Sequence, residues 1–366
     1  MKAAVLRAVG SPISIEQVEL DPPRATEVRV RIKAAGVCHS DYHFVTGDLS
    51  TPLPAVLGHE GAGVVEEVGD DVTSVVPGDH VLFLWRTSCG RCALCQTGRP
   101  ALCASGLKAR SSGLLEDGSS RLSRGRERIH HVMGVSCFAE QAVTSERSVL
   151  KIPATVPLEI AAFLGCAVMT GVGAVVNTAA VRPGSSVLVI GVGGVGQCVV
   201  MAARLAGAST IVVADVSQTK LKAATALGAT HAVDSSSEDL VKAVRARTDG
   251  GVDYAFEAVG RPDTLSQAVR ALRTGGTAVA VGLGKGDARV EIGINDLVLQ
   301  EKTLKGSLYG SARPAADVPM LISLYVSGRL PLDKLLSRRY PIEQINEACE
   351  AMLGGEVARS VVTFAP

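Results

Sequence analysis

Four cysteines, Cys89, Cys92, Cys95 and Cys103, fall in one short stretch with two, two and seven residues between them. Two-residue gaps let successive thiolates face one tetrahedral ion from a tight loop, and the fourth closes the shell. A metal with every position filled by protein has no place for a substrate. The set therefore reads as a structural zinc site pinning a loop with little core of its own. A four-thiolate iron–sulfur cluster and chance clustering are the other readings that the spacing allows.

A second set is scattered. Cys38 stands in GVCHSD, His59 in GHE and Cys166 in LGC at the start of an apolar run. Two thiolates and a neutral imidazole would cancel the charge of Zn²⁺ and leave a fourth position open, as a Lewis-acid catalyst needs. Spacing cannot connect the three. Taken singly, Cys166 reads equally as a small core residue and His59 as a satisfied loop histidine.

The third chemical signal is Ser186 to Asp215, SVLVIGVGGVGQCVVMAARLAGASTIVVAD. It predicts a buried strand at Val187–Ile190, a glycine turn, a helix to about Ala206 and a second strand ending at Asp215. Gly191, Gly193 and Gly196 have the spacing G-x-G-x-x-G, with Gly194 and Val195 between them. The first glycine permits the turn, the second lets a pyrophosphate approach, and the third lets helix pack on strand. Phosphate would sit on the helix N-terminus. Asp215 is placed to bond both ribose hydroxyls of NAD and to repel the extra phosphate of NADP. An ordinary buried βαβ unit is the plain alternative. The turn lacks the Gly-Lys-Ser/Thr of a P-loop, which argues against a nucleotide triphosphatase.

The elements that must position these groups follow from the rest of the chain. Its 366 residues are long for one core, so two domains are expected. A net charge of +1 gives no reason to expect nucleic acid or an anionic membrane as partner. Up to about residue 83, β-type alternation is broken by turns, which predicts a barrel-like all-β unit. Residues 85–137 look irregular. From about Val168 strands and helices alternate, with helices at Gln218–Leu227, about Glu238–Arg247 and up to Arg273. Strands are expected at His231–Asp234, Val252–Val259 and Thr277–Leu283. This is a doubly wound parallel sheet. Two amphipathic helices follow Tyr309, and a last apolar strand, Ser360–Phe364, is expected to return to the first domain. The uncharged runs Ile160–Val181 and Pro183–Ala203 read as buried core rather than membrane spans. Arg7 interrupts the only apolar stretch near the start, so no secretory signal is expected. A cytoplasmic protein is expected, and in such a chain nine cysteines argue for metal or catalysis before disulfides.

GVCHSDYH (residues 36–43), GHEGAG (58–63), the four-cysteine loop, LGC and GVGGVG with Asp215 occur in that order. Together they resemble a zinc-dependent alcohol dehydrogenase of the medium-chain dehydrogenase/reductase superfamily, over nearly the whole chain. The resemblance implies an α/β fold. A GroES-like, β-barrel-type catalytic domain would span 1–167 and be completed by 309–366, with a Rossmann NAD-binding domain at 168–308. It implies two zincs per subunit, NAD, a small alcohol or aldehyde as substrate, and a homodimer or homotetramer.

By the same resemblance Cys38, His59 and Cys166 hold the catalytic zinc. Glu60 lies behind the metal, and Asp41 orients His59. The alcohol takes the fourth zinc position, which lowers its pKa. Ser40 accepts the hydroxyl proton and passes it by way of the nicotinamide ribose to His43. Plainer readings are a helix cap for Ser40 and a solvated histidine for His43. His39 and Arg359 are assigned to the pyrophosphate, Lys220 to the adenosine ribose, and Thr170 and Val195 to the nicotinamide. His39 departs from the arginine of many relatives, which implies a looser hold on phosphate and faster cofactor release.

Gly106–Phe138 resembles the longer loop of the animal-type and glutathione-dependent formaldehyde dehydrogenase branch. That raises oxidation of an S-hydroxymethyl thiol adduct as an alternative. Leu107 falls where that branch carries an anion-binding arginine, leaving Arg110 or Arg121 to substitute. The expected pocket wall of Trp85, Val132, Met133, Leu283 and Leu308 is apolar and suits a primary aliphatic or aromatic alcohol. An NAD-binding structural or sensor protein of the same fold is the alternative from another class.

Overall fold

The computed structural model describes residues 1–364, save the side chains of residues 108–110. The chain divides into two compact units. One comprises Met1–Cys166, Arg313–Val326 and Leu332–Pro366, and the other Ala167–Ala312 with Ser327–Pro331.

The first unit is built on the long strand Glu27–Gly36. Val28, Val30, Ile32 and Ala34 lie on its inner face with no accessible surface, while Arg29, Arg31 and Lys33 alternate outward, the two-residue period of a half-buried strand. This strand pairs antiparallel with Glu60–Val68, Gln141–Ser145 and the C-terminal strand Arg359–Thr363. In the last pairing Val361 faces Gly36 and Val362 faces Ala35. The chain end is thus held in the same sheet as the beginning. A second sheet joins Lys2–Leu6 to Ser14–Gln17 and Ala55–Val56, and continues through Glu127–His131 and Leu122–Arg124 to Glu19–Leu20.

Residues 85–137 are more ordered than their composition implies. They include the helix Ala104–Ser112 and the hairpin Leu122–Arg124/Glu127–His131. The hairpin carries charge on its exposed face, and it is pinned by pairing with strands far away in sequence. Local pattern gives no sign of that.

The second unit is a six-stranded, all-parallel sheet. Its order is His231–Asp234, Thr210–Asp215, Ser186–Ile190, Val252–Glu257, Leu272–Ala280 and Thr303–Gly306. The reversal of strand order beside Ser186–Ile190 is the switch point where doubly wound sheets bind ligands. Both faces of the central strand are covered, so it reads as an unbroken apolar run, with Val187, Leu188 and Val189 fully buried. The strand expected at Thr277–Leu283 begins and ends earlier, at Leu272–Ala280. A register shift opposite Val252/Tyr254 extends the ladder backwards.

The run Leu158–Ala179 is helical throughout, with π-turns at Leu164–Val168 and Ala174–Ala179. Its length and mean hydropathy of 1.9 would suffice to cross a membrane, yet 83% of its most apolar window is buried within the protein.

Candidate active site and metal centres

Three separate elements deliver the scattered triad. Cys38 caps the N-terminus of the helix His39–Thr46 in an extended conformation. His59 immediately precedes the strand Glu60–Val68, whose register sets Glu60 opposite Gly36; two residues beyond Gly36, Cys38 thus comes alongside His59. Cys166 lies in the π-turn Leu164–Val168, an irregularity that recurs at functional positions. Gly165 lets that turn close on the sheet, because a Cβ there would lie 2.3 Å from the carbonyl of Phe83.

The ligand atoms of Cys38, His59, Glu60 and Cys166 all lie within 4.8 Å of one another, and all four residues are buried. His59 Nε2 is 3.3 Å from Cys166 Sγ. On the other side of the ring, Nδ1 donates to Asp41 Oδ1 at 2.8 Å, and the same oxygen accepts the N–H of Gly58 at 3.2 Å. Asp41 therefore fixes the ring's orientation and aims Nε2 among the thiols. Burial would lower the His59 pKa, but the Asp41 carboxylate outweighs it and pushes it up to about 10. The hydrogen bond between Cys38 and Cys166 holds Cys38 well below the usual thiol range and raises Cys166, which burial raises further. One thiolate, one thiol and a basic imidazole share this space, and a divalent cation would displace their protons. The donor set fits zinc. Cys38, His59 and Cys166 would hold it, leaving its fourth usual position to the Glu60 carboxylate or to a substrate oxygen.

Glu60 is fully buried and ion-paired with Arg359, whose guanidinium also lies over the Phe163 ring, 5.1 Å from its centroid. The resemblance assigned Arg359 to a pyrophosphate; here its guanidinium faces Glu60 behind the triad.

The four loop cysteines converge as a second set within the same limit. Cys92 Sγ lies 3.5 Å from Cys95 Sγ and 3.9 Å from Cys103 Sγ. A single tetrahedral zinc with bonds of about 2.3 Å sets its sulfurs about 3.8 Å apart. An iron–sulfur cluster holds its cysteines on the outside of a larger core and does not suit this spacing. Backbone N–H groups of Cys89 and Cys92 donate to Cys103 Sγ and Cys89 Sγ. Burial opposes ionisation of Cys103, yet the amides of Gly106 and Cys89 bring it down to about 6. Arg86, missed in the sequence because it looks like any loop arginine, is buried beneath this loop. It donates from Nε to the carbonyl of Ala101 at 2.7 Å and from Nη2 to that of Cys103 at 3.3 Å.

Ser40 and His43 lie one turn apart on the helix His39–Thr46, so they share a face. His39 opens the same helix and is exposed. His43 Nδ1 lies 3.3 Å from Asp48 Oδ2; nothing in the local pattern singled out Asp48. Trp85 meets the His59 ring edge-on at 6.1 Å. Met133 is nearly buried, and Val132 has no accessible surface at all. Val132 is thus a packing residue of its turn, not an accessible wall. Leu283 is 44% exposed and Leu308 half-buried, both in the second unit.

Arg121 cannot serve as an anion anchor. It is 1% exposed, its Nε and Nη2 donate to both oxygens of Glu27 at 2.9 and 2.7 Å, and Nη2 also donates to Asp117. Its charge is already matched. The side chain of Arg110, the other candidate, lies outside the described residues, and Leu107 is exposed.

In the second unit the glycine turn follows the central strand. Gly191 is left-handed at φ +84°, and a Cβ at Gly196 would lie 1.9 Å from the carbonyl of Gly191. Gly193 has nothing within 4 Å of its Cβ position, leaving a cradle over the N-terminus of the helix Gly194–Leu205. That suits a phosphate. Asp215 ends the next strand; its Oδ2 accepts the N–H of Val192 at 2.9 Å and its Oδ1 that of Ser217 at 3.0 Å. Ser217 caps the helix Gln218–Leu227 that carries Lys220. Val195 is half-buried on the turn, and Thr170 half-buried in the run Leu158–Ala179. A polar cleft of about 890 Å³, lined by Arg182, Ser186, Asp253 and Arg273 among others, opens at the opposite, amino ends of these strands. Doubly wound sheets bind at their carboxyl ends, so that cleft is not the dinucleotide site.

Residues 24–154 match the family model of the alcohol dehydrogenase GroES-like domain, and residues 194–327 that of zinc-binding dehydrogenases. An alcohol dehydrogenase zinc-binding domain protein from Burkholderia ambifaria is similar at 42% identity and TM-score 0.95, over 100% of this chain and 99% of its own. Benzyl alcohol dehydrogenase from Acinetobacter calcoaceticus is similar at 35% identity and TM-score 0.95, over the same shares. A zinc-binding dehydrogenase from Sinorhizobium meliloti 1021, solved with NADP, is 30% identical with TM-score 0.81, covering 99% of this chain and 98% of its own.

Proposed function

We propose that this chain, which belongs to the zinc-dependent alcohol dehydrogenases of the medium-chain dehydrogenase/reductase superfamily, reversibly oxidises primary aliphatic or aromatic alcohols to aldehydes with NAD. The observation that carries this reading is the convergence of Cys38, His59 and Cys166, with His59 held by Asp41 at 2.8 Å. Zinc bound there would supply a Lewis acid for the alcohol oxygen, and a bound nicotinamide would supply the acceptor for the hydride that leaves the alcohol carbon. The chain's residues do the rest. Asp41 keeps the His59 ring in ligand orientation. Ser40 takes the hydroxyl proton at Oγ, and His43, one turn away and 23% exposed on its side chain, hands it to solvent. The Glu60–Arg359 pair keeps the space behind the triad dry and charge-balanced. Per turnover the alcohol loses one hydride and one proton.

Aromatic alcohols are supported by Trp85, the chain's only tryptophan, which lies beside His59, and by similarity to benzyl alcohol dehydrogenase. Asp215 favours NAD, because a carboxylate at the end of this strand would repel a 2′-phosphate. The neighbour solved with NADP makes that preference a point to measure. The four-cysteine loop adds a second, structural zinc. With Arg121 already paired, the thiol-adduct alternative would rest on Arg110. We take the protein to be a cytosolic homo-oligomer. Ile294, Val298 and Leu299 stand 77, 66 and 75% exposed near the sheet's edge strand Thr303–Gly306, and a second copy would cover them.

The decisive experiment is zinc per subunit by elemental analysis, with NADH and NADPH formation followed on benzyl alcohol and on a short alkanol. Two zincs and NADH formation are expected. One zinc without turnover would overturn the mechanism.

A further inference from the structure

The helix His39–Thr46 ends at Gly47 in a left-handed conformation, φ +80° and ψ 6°. The chain then folds back, and the N–H of Leu49 donates to the carbonyl of His43 at 2.9 Å. A side chain at Gly47 would be strained by that φ, and its Cβ would lie 2.8 Å from Val9 Cγ1. This reversal carries Asp48 back beside the imidazole five residues earlier. Asp48 Oδ2 lies 3.3 Å from His43 Nδ1, and the same oxygen accepts the hydroxyl of Thr46 at 2.7 Å. The side chains of His43 and Asp48 are 23 and 22% exposed, shielded enough for the contact to be felt and open enough for a proton to leave.

A carboxylate on Nδ1 orients an imidazole and selects its tautomer. With Nδ1–H donating to Asp48, Nε2 keeps its lone pair and is the atom left to accept a proton. A base backed by an orienting acid is a general arrangement for proton transfer. Thr46 holds the acid in turn, so the imidazole, the carboxylate and the hydroxyl form one chain at the end of one helix. We propose that Asp48 is a positioning residue for the proton relay, holding His43 in the Nδ1-protonated tautomer with Nε2 as the accepting atom. The proposal rests on the reading of His43 as the outer base of that relay.

Single-turnover NADH formation from benzyl alcohol, with the zinc-loaded enzyme, separates proton transfer from cofactor release. The variants are His43→Gln, Asp48→Asn, Asp48→Glu and the double variant His43→Gln/Asp48→Asn. Asp48→Asn is expected to slow the transient about tenfold with the alcohol KM unchanged, and Asp48→Glu to recover part of the loss. The double variant should be no slower than His43→Gln alone, because Asp48 acts only through the ring it holds. A second readout needs no turnover. In ¹⁵N-histidine-labelled protein, one of the seven histidines, assigned to His43 by its absence from His43→Gln, should show the Nδ1–H tautomer beside that of His59 and lose it in Asp48→Asn. A slow His43→Gln beside an unaltered Asp48→Asn would overturn the proposal and leave the relay standing, as would losses that multiply in the double variant. An unaltered His43→Gln would overturn the relay and the proposal together.

Discussion

Asp41 accepts the Nδ1–H of His59 at 2.8 Å with both side chains 1% exposed, so one buried carboxylate decides which imidazole nitrogen faces the thiols. Asp41 sits on the helix that starts after Cys38, and two ligand-bearing elements are thereby locked to each other. Removing the carboxylate frees the ring to adopt the other tautomer. Asp41→Ala should weaken zinc binding at this site by roughly 10- to 100-fold, seen as faster loss of one of two zincs to a chelator. The four-cysteine zinc should be retained. Equal loss of both metals would show that the substitution unfolds the unit.

The guanidinium of Arg121 fills both oxygens of Glu27 inside the first unit. Removing either partner strands a buried charge, which costs about 3–5 kcal/mol. Arg121→Ala should therefore lower the thermal midpoint by several degrees while leaving the zinc count unchanged. Replacing the pair together with apolar residues of similar volume should recover much of the loss. A thiol added to a formaldehyde assay should have no effect on wild-type turnover, since this arginine is not available to an acidic adduct.

What was legible in the sequence was local. The glycine turn, Asp215 and the four cysteines each lie within one or two consecutive elements, so spacing alone describes their chemistry. The triad is different: Cys38, His59 and Cys166 meet only through the pairing of Gly36 with Glu60 and through a π-turn. Neither leaves a trace in periodicity, and motif resemblance had to supply the link. The Arg121–Glu27 pair, 94 residues apart in sequence, had no signal at all, so Arg121 stood beside Arg110 as a cation that could replace the missing arginine. Asp48 escaped notice because its role depends on the chain reversing at Gly47.

His131 is fully buried, and its Nε2 accepts the backbone N–H of Arg121 at 3.2 Å. Burial, with the Arg121 charge adding to it, lowers its pKa to about 3 from an ordinary value of 6.5. Between those values the unfolded chain binds a proton that the folded chain refuses, so stability falls as pH drops. The contribution is intact above pH 6.5 and is lost progressively down to about pH 3, on the order of 5 kcal/mol in all. His131→Gln should flatten this part of the stability profile, measured by chemical denaturation at pH 7, 6 and 5. An unchanged slope would show that His131 is protonated in the folded protein.

The apolar surface around Leu299 gives the proposed oligomer a specific test. Exposed Ile294, Val298 and Leu299 precede an edge strand whose four residues are all exposed. Such surface invites pairing with a second copy. Leu299→Glu combined with Val298→Glu should shift the sedimenting species to one subunit while each subunit keeps its zinc. A wild-type protein that sediments as one subunit would refute the assignment.

Asp215 shapes the loop and, on the proposed reading, sets the cofactor choice. Its Oδ2 holds the Val192 N–H and its Oδ1 holds that of Ser217, so the carboxylate ties the glycine turn to the start of the next helix before any ribose arrives. Asp215→Ser removes a charge and shortens the side chain. Turnover with NADPH or NADP should then rise relative to NADH or NAD by tenfold or more, as repulsion of the extra phosphate disappears. The two lost amide partners should also cost about 1 kcal/mol each of stability, visible as a lower thermal midpoint without cofactor. If the midpoint falls while the NAD/NADP ratio stays constant, Asp215 is a strut of the loop and specificity lies elsewhere.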